Sequence, residues 1–270
     1  MAIINRTPDS FYDAGRTFAD DRALAAVDAA VAAGADIVDI GGVKAGPGAE
    51  VDVDEELNRT VDFVAAIRER HPDVVISVDT WRHEVGDAVC RAGADLINDA
   101  WGGYDTQLVD VAAARGVGIV CTHTGGAAPR TRPHRVEYED AVGSVLGFLA
   151  LEASRAEAAG IPPERILIDP GHDFGKNTRH SLAVTRGLDR LVATGRPVLV
   201  SLSNKDFVGE TLDVPVGERL TGTLAATAVS SWLGARVFRV HEVRETREVL
   251  AMVQAIAGDR APAVARRGLA

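Results

Sequence analysis

The sequence predicts an α/β fold, specifically a single-domain (β/α)8 TIM barrel, on three observations. Eight short apolar runs alternate with Ala-rich stretches whose apolar residues recur at spacings of three and four, the period of an amphipathic helix. The 270 residues, of which 46% are hydrophobic, suffice for one large core. No G-x-G-x-x-G motif follows the first run, which argues against the competing doubly wound open sheet.

The eight predicted strands are short and lie at the spacing of strand–helix units. In chain order they are AIIN (2–5), DIVDI (36–40), VVISVD (74–79), DLIND (95–99), VGIVCT (117–122), RILID (165–169), PVLVSL (197–202) and RVFRV (236–240).

Helical patterns fill the intervals between these runs. The first, residues 20–35, opens with Asp20 and Asp21, which suit an N-cap and first turn, and ends near Gly34, a plausible C-cap. Residues 220–235 show the same pattern before the last strand. We expect the barrel to occupy residues 1–257 and residues 258–270 to form a flexible tail.

Composition and charge exclude several classes of protein. A net charge of −10 disfavours a nucleic-acid binder, and no apolar run approaches the roughly 18 residues that a membrane span needs. No signal peptide is recognisable at the start, so we expect a cytoplasmic location. Cys90 and Cys121 are far apart and are expected to be buried reduced thiols, with a disulfide or redox pair as the alternative.

Polar residues stand at the carboxyl end of every predicted strand, where barrel sites lie. They are Asn5, Asp39, Asp79, Asn98, Asp99, His123, Asp169, Ser203, Lys205, Arg239 and His241. Any one of them suits a cap for the following helix. Because eight such ends converge in a barrel, a polar pocket is the better interpretation.

The residue types suggest what this pocket binds. Asp79, Asn98 and Asp169 offer acceptors and an amide, which suit a flat heterocycle with several N–H groups, such as a pterin or purine, and Lys205 can donate to a ring carbonyl or nitrogen. Arg239, His241 and the neighbouring strand-1 residue Asn5 suggest an anion cradle. The alternative for Arg239 is a salt bridge, with Glu242 or Glu245.

The motifs at these strand ends resemble those of dihydropteroate synthases. NRTPDSFYDAG (5–15) is similar to that family's first loop, and DIVDIGG, ISVDT, GADLINDAWGG, DPGHDFGK, SNKDFVGE and RVHEV follow in the family's order. The likeness runs from residue 2 to about residue 245. TPDSF and the last-strand R-x-H are its specific parts, whereas ISVDT and IND are shared with other pterin-binding barrels.

The resemblance implies a homodimeric transferase of folate biosynthesis that joins 6-hydroxymethyl-7,8-dihydropterin diphosphate to 4-aminobenzoate and releases diphosphate. By this likeness, the pterin is held by Asp79, Asn98, Asp169 and Lys205. The diphosphate is held by Asn5, Arg239 and His241, with Mg²⁺ on Asn5. Catalysis is assigned to Asp13, Lys205, Arg239 and His241, and the second-substrate region to Phe11, Pro47, Phe174 and Asp206.

The sequence departs from the family pattern mainly in the second-substrate loops. The G-G-E-S-T-R-P-G loop has Ala45 and Gly46 for its Thr and Arg, with Lys44 for Ser. S-R-K-S-F has become Ser203-Asn204-Lys205-Asp206-Phe207, which places a carboxylate where the aminobenzoate carboxylate is received. Two like charges near 4 Å repel by roughly 4 kcal/mol at an effective dielectric of 20.

Two further replacements lie after strands 5 and 6. The family's Met-His-Met is Thr122-His123-Thr124, and its Ile-Gly is His172-Asp173. Three functions therefore compete: an active synthase, an inactive or altered-substrate paralogue that binds pterin diphosphate, and a pterin-dependent methyltransferase. TPDSF and the R-x-H cradle argue against the third, because methyl transfer has no diphosphate to hold.

Three further features allow either a structural or a functional interpretation. The basic loop with Arg130, Arg132, His134 and Arg135 is either solvated or recruits an anion. His172, Asp173 and Asp206 are weak candidates for a metal site. Trp81 and Trp101 either stack on a ligand or, as we expect, pack helices on the barrel.

Overall fold

The fold is taken from a computed structural model that describes residues 1–7, 20–131 and 136–268. The strands are β1 (Ala2–Asn5), β2 (Ile37–Gly41), β3 (Val75–Asp79), β4 (Leu96–Asp99), β5 (Gly118–Thr122), β6 (Ile166–Asp169), β7 (Leu199–Val200) and β8 (Val237–Phe238). The helices are α1 (Asp20–Ala32), α2 (Val53–Arg70), α3 (His83–Ala92), α4 (Leu108–Arg115), α5 (Ala141–Ala158), α6 (Thr178–Arg186), α7 (Leu188–Val192), α8 (Asp206–Leu212), α9 (Leu220–Trp232) and α10 (Val243–Ala257).

The strands form a closed parallel barrel. β1 to β6 pair in sequence order, and β7 pairs with β8. Bridges between Ile168 and Val198 and between Ala2 and Val240 join the two parts and close the circle. The predicted (β/α)8 barrel is therefore confirmed, with two helices after β6 and two after β7.

β7 and β8 are shorter than the apolar runs that predicted them. Their flanking residues nevertheless keep interstrand hydrogen bonds, since the Arg239 N–H donates to the Val200 carbonyl at 2.9 Å and the Val240 N–H donates to the Met1 carbonyl at 2.9 Å. The shorter strands thus leave the barrel closed, and the carboxyl ends of both strands remain at the rim.

The barrel interior changes from apolar to polar along the strands. A cluster of Leu96, Val120 and Leu199, with Leu167 and Val237 packed against it, fills the lower part. Two residues further along these strands, the inward positions hold Asn98, Thr122, Asp169, Ser201 and Arg239, all of which line one cavity. The alternation of strand side chains thus puts the apolar plug below and the site above it.

Outward-facing strand residues pack against the helices. Val38, Ile40, Ile76 and Val78 are buried in the cluster formed with α1, α2 and α3. Cys121 belongs to the cluster on the opposite side of the barrel, formed with α4 to α8. Both cysteines are free thiols; Cys121 is buried, as the sequence predicted, whereas Cys90 is only half-buried.

The predicted limits of the first helix are matched closely. α1 begins at Asp20, and Gly34, beyond its end, adopts a φ of +91°, a conformation that favours glycine. At the other end of the chain, α10 ends at Ala257 and residues 258–268 are exposed without helix or strand. The mobility of residues 258–270 stays a prediction. No helix in the described ranges is long and apolar enough to cross a bilayer.

Candidate functional site

A cavity of about 450 Å³ opens at the carboxyl ends of the strands, a volume that suits a small organic ligand. It brings together most of the site residues proposed from sequence: Asn5, Asp79, Asn98, Asp169, Phe174, Lys205, Asp206, Arg239 and His241. Pro47 is exposed and is not among the lining residues. Phe11 and Asp13 lie outside the described residues.

Carboxyl and amide groups on neighbouring strands form one wall of this cavity. Asp79 stands beside Asn98 in the β3–β4 register, and Thr122 stands beside Asp169 in the β5–β6 register. Asp169 accepts a hydrogen bond from the Gly171 N–H at 2.7 Å. Burial raises the pKa of Asp169, and it raises the pKa of Asp79 to about 7. This wall presents groups suited to the N–H edge of a flat heterocycle.

Arg239 is held in place by two carboxylates. Its Nε donates to Asp39 Oδ2 at 2.6 Å and its Nη2 donates to Asp79 Oδ2 at 3.1 Å. Asp39 is fully buried and also accepts from the Ser77 hydroxyl at 2.6 Å and from the Asn98 amide at 3.3 Å. Asp39 therefore positions two of the site residues, a role that sequence analysis missed although it noted this carboxylate at the strand end.

Arg239 does form salt bridges, but not with Glu242 or Glu245, the partners considered from sequence. Glu242 instead accepts from the Ser203 hydroxyl at 3.0 Å and from the Asn204 amide at 3.1 Å. The His241 backbone N–H also donates to the Ser203 hydroxyl, at 3.3 Å. These bonds tie the segment after β8 to the segment after β7 at the cavity rim.

Lys205 lies against the loop that follows β6. Its ammonium donates to the His172 carbonyl and lies 4.5 Å from the centre of the Phe174 ring. Burial lowers the pKa of Lys205. The Phe174 ring thus packs against the Lys205 ammonium, and both residues line the cavity.

Lys176 fixes the same loop from below. Its Nζ donates to the carbonyls of His123 at 3.1 Å, Gly171 at 3.0 Å and Phe174 at 3.0 Å, and lies 2.7 Å from His123 Nδ1. Burial lowers the pKa of Lys176 to about 7 and that of His123 to about 3, so the imidazole is neutral and its Nδ1 can accept. Lys176 is the last residue of the DPGHDFGK motif, for which the sequence indicated no role.

The suggested metal group of His172, Asp173 and Asp206 does not assemble. His172 Nε2 is bonded to the Thr185 hydroxyl at 2.9 Å. Asp173 accepts from the Phe207 N–H at 3.2 Å, and Asp206 pairs with Arg219 at 3.0 Å. Among the described residues, these three do not bring ligand atoms close enough to share an ion.

Asp206 is the first residue of α8 and lies at the cavity mouth, where sequence analysis placed it. Its side chain is 48% exposed and is paired with the largely buried Arg219. This pairing offsets part of the repulsion expected between Asp206 and a ligand carboxylate. The rough 4 kcal/mol from the unpaired-charge argument is therefore too large.

The loop after β2 has no side-chain hydroxyl or guanidinium at Ala45 and Gly46, both of which line the cavity. Arg130, from the loop after β5, instead reaches this loop and donates to the carbonyls of Gly46 at 3.4 Å and Ala49 at 2.5 Å. Arg130 therefore has a structural role rather than lying in solvent. Its basic neighbours Arg132, His134 and Arg135 are not described.

The expectation that Trp81 and Trp101 pack helices against the barrel is wrong. Their rings meet edge to face at 6.3 Å, and the Trp101 ring meets the Phe174 ring at 5.2 Å. With Val43 and Val51, they form a separate apolar cluster among the loops above the strands. Trp101 also lines the cavity, so this cluster supports the site from one side.

Comparisons with known proteins give the family. A family model described as pterin binding enzyme matches residues 1–241. The chain is 58% identical over 274 residues to "Inactive dihydropteroate synthase 2" of Mycobacterium leprae, covering 100% of this chain and 94% of the relative. It is 38% identical over 256 residues to the dihydropteroate synthase of Escherichia coli K12, covering 94% of this chain and 90% of the relative.

A solved structure agrees with these sequence matches. The Yersinia pestis dihydropteroate synthase in complex with a sulfonamide drug superposes with a TM-score of 0.91 and 36% identity, covering 96% of this chain and 94% of that one. The relatives thus include both a synthase and a protein named inactive. This chain belongs to the pterin-binding enzyme family, as a divergent member of its dihydropteroate synthase branch.

Proposed function

We propose that this chain is an altered-substrate paralogue of dihydropteroate synthase, which binds a pterin ligand in the barrel mouth and does not make dihydropteroate. One observation carries the proposal: the two halves of the cavity differ in how much of the family pattern they keep. Asp79, Asn98, Asp169 and Lys205 stand together on the heterocycle side. On the second-substrate side, the loops after β2 and β7 have changed.

In the described part of the second-substrate side, the hydroxyl and the guanidinium that the family pattern places after β2 are missing, although Lys44 lines the cavity there. Ala45 and Gly46 bring no donor side chain to the cavity, and Asp206 brings a carboxylate to its mouth. The Arg219 guanidinium is already paired with that carboxylate. A neutral or cationic second ligand therefore suits this side better than 4-aminobenzoate. A relative that is 58% identical is named inactive, which supports this proposal over the alternative of an active synthase.

On the side of the cavity that would bind the diphosphate, Arg239 already pairs with carboxylates of the protein. The Arg239 guanidinium uses two of its five N–H donors on Asp39 and Asp79, so a diphosphate would bind the remaining donors or compete with these carboxylates. Asn5 and His241 would complete that contact, since both line the cavity. Mg²⁺ fits beside Asn5, because an amide oxygen next to the side-chain-free Gly41 suits an ion that is completed by waters and phosphate. When bound, this ion would neutralise charge on the diphosphate.

We further propose that the chain acts as a homodimer. Large apolar side chains are exposed on the adjacent helices α9 and α10: Val229 is 51% exposed, Trp232 62%, Met252 60% and Ile256 62%. A second copy of the chain would cover this face. Light scattering should give the mass of two chains for the natural sequence and of one chain for Trp232→Lys.

A product assay tests the proposed function. The purified protein is incubated with dihydropterin diphosphate, Mg²⁺ and 4-aminobenzoate, and dihydropteroate and diphosphate are followed together. We expect no dihydropteroate from the natural sequence and a measurable amount from the triple variant Asp206→Ser, Ala45→Thr, Gly46→Arg. Robust product from the natural sequence would overturn the proposal.

A further inference from the structure

Thr122 is a cavity residue with an unsatisfied hydroxyl. It is the last residue of β5, is 3% exposed and lines the cavity. Its Oγ1 is buried and has no hydrogen-bond partner among the residues that the structure describes. A buried hydroxyl without a partner costs about 1–3 kcal/mol, and such groups are rare in native proteins. Because Thr122 lines the cavity, rotation of its side chain about the Cα–Cβ bond would bring this enclosed hydroxyl within reach of a ligand bound there.

The position of Thr122 places this hydroxyl within the proposed heterocycle wall. Thr122 stands directly beside Asp169 on β6. On the other side, β5 pairs with β4, which carries Asn98. Since both neighbours face the same cavity, a flat ring that reaches Asn98 and Asp169 must pass the Thr122 side chain.

The residue type at this position changes the character of the wall. The similar motif in dihydropteroate synthases has Met where this chain has Thr122. A Met side chain reaches further into a cavity and offers no O–H donor. Thr122 ends at the γ position and can both donate and accept, so this part of the wall is roomier and more polar.

We propose that Thr122 is a specificity-determining residue, which hydrogen-bonds an oxo or amino substituent on the ring of the bound ligand. This inference rests on the proposed function and names its ligand class: a pterin that carries one oxo or amino group more than 6-hydroxymethylpterin. A site built to hydrogen-bond such a group discriminates against a ring that lacks it, because the hydroxyl is then left unpaired.

Calorimetric titration with three probes tests this inference. The probes are 6-hydroxymethylpterin, xanthopterin, in which a 6-oxo group replaces the hydroxymethyl group, and isoxanthopterin, which has a 7-oxo group and no hydroxymethyl group. We expect the natural sequence to bind at least one oxo probe about fivefold or more tightly than 6-hydroxymethylpterin, since a neutral hydrogen bond contributes about 1 kcal/mol. Thr122→Val should lose that preference. Thr122→Met should bind both oxo probes more weakly still.

Two controls separate a binding role from a structural one. Thr124→Val changes a buried threonine that is not among the lining residues and should leave all three affinities unchanged. Thr122→Val removes an unpaired hydroxyl from a buried site, so its melting temperature should equal or exceed that of the natural sequence. A fall of several degrees would reveal a structural partner for the hydroxyl and overturn the inference.

The titrations also distinguish failure of the inference from failure of the proposed function. If the natural sequence binds 6-hydroxymethylpterin and Thr122→Val changes no affinity, the role of Thr122 is wrong and the pterin site stands. If the natural sequence binds none of the three probes, the proposed function is wrong and the inference falls with it.

Discussion

The Arg239 guanidinium donates to the buried Asp39 carboxylate at 2.6 Å, across 200 residues of sequence. The pair links the last strand of the barrel to the second and orders the cavity floor, because Asp39 also accepts from Ser77 and Asn98. A buried ion pair of this kind adds little net stability, but loss of one partner leaves the other charge uncompensated.

Asp39→Asn should therefore destabilise the protein by about 3–5 kcal/mol. Asp36→Asn is the matched control, because Asp36 pairs with Arg247 at 3.3 Å between side chains that are 84% and 49% exposed. Its effect should stay below about 1 kcal/mol. Urea denaturation followed by tryptophan fluorescence measures both. Equal effects would show that the Asp39–Arg239 pair does not order the barrel interior.

Asp79 gives stability a pH dependence of known sign. Burial raises its pKa from 3.8 to about 7, so the folded protein binds more protons than the unfolded chain between these values. The corresponding stability is fully present below pH 4 and is lost as the pH rises through about 7.

Asp79→Asn removes this titration. The unfolding free energy of the variant minus that of the natural protein should therefore be higher at pH 8 than at pH 5, by at least about 1 kcal/mol. Denaturant titrations at the two pH values provide the comparison. A difference between the two proteins that is the same at both pH values would contradict the assignment.

Lys176→Met should loosen the loop between β6 and α6. The substitution leaves the carbonyls of Gly171 and Phe174 without their buried donor, which should cost about 1–3 kcal/mol. Because Lys205 rests on this loop, pterin affinity should fall as well. Arg179→Met, at an exposed position on α6, is the control for loss of a cationic side chain. Amide hydrogen exchange would show faster exchange in residues 171–177 only in Lys176→Met.

The two cysteines should be unreactive in the folded protein. Burial raises the pKa of Cys90 to about 11 and that of Cys121 to about 12, so at pH 8 almost no thiolate is present. A chromogenic disulfide reagent should label neither thiol rapidly at pH 8 and should label both in denaturant. Rapid labelling of the folded protein would contradict the described burial.

Sequence patterns predicted the barrel because the apolar runs, their alternation and the polar strand ends are local properties. In the structure, the two-residue periodicity of the strands puts Asn98, Asp169 and Arg239 on the inward face, where they line the cavity. Nine of the site residues proposed from sequence line the cavity.

The contacts of the site were less predictable, because they join residues that are distant in sequence. Nothing near Arg239 identifies Asp39 as its partner, so the nearby Glu242 was the natural alternative. Arg130 reaches Gly46 across 84 residues, and no local pattern indicates that bond. Trp81 and Trp101 follow adjacent strands, which made packing of helices plausible, yet their rings meet above the strands.

The central claim is that the heterocycle side of the cavity is retained while the second-substrate side is altered. Calorimetric titration of 6-hydroxymethylpterin into the natural sequence, Asp169→Asn and Asp206→Ser tests it most directly. We expect saturable binding to the natural sequence and no change of affinity in Asp206→Ser. In Asp169→Asn the affinity should fall by at least about tenfold, because a hydrogen bond to a charged acceptor contributes about 1.5–3 kcal/mol. Absence of binding to the natural sequence, or equal weakening by both substitutions, would contradict the claim.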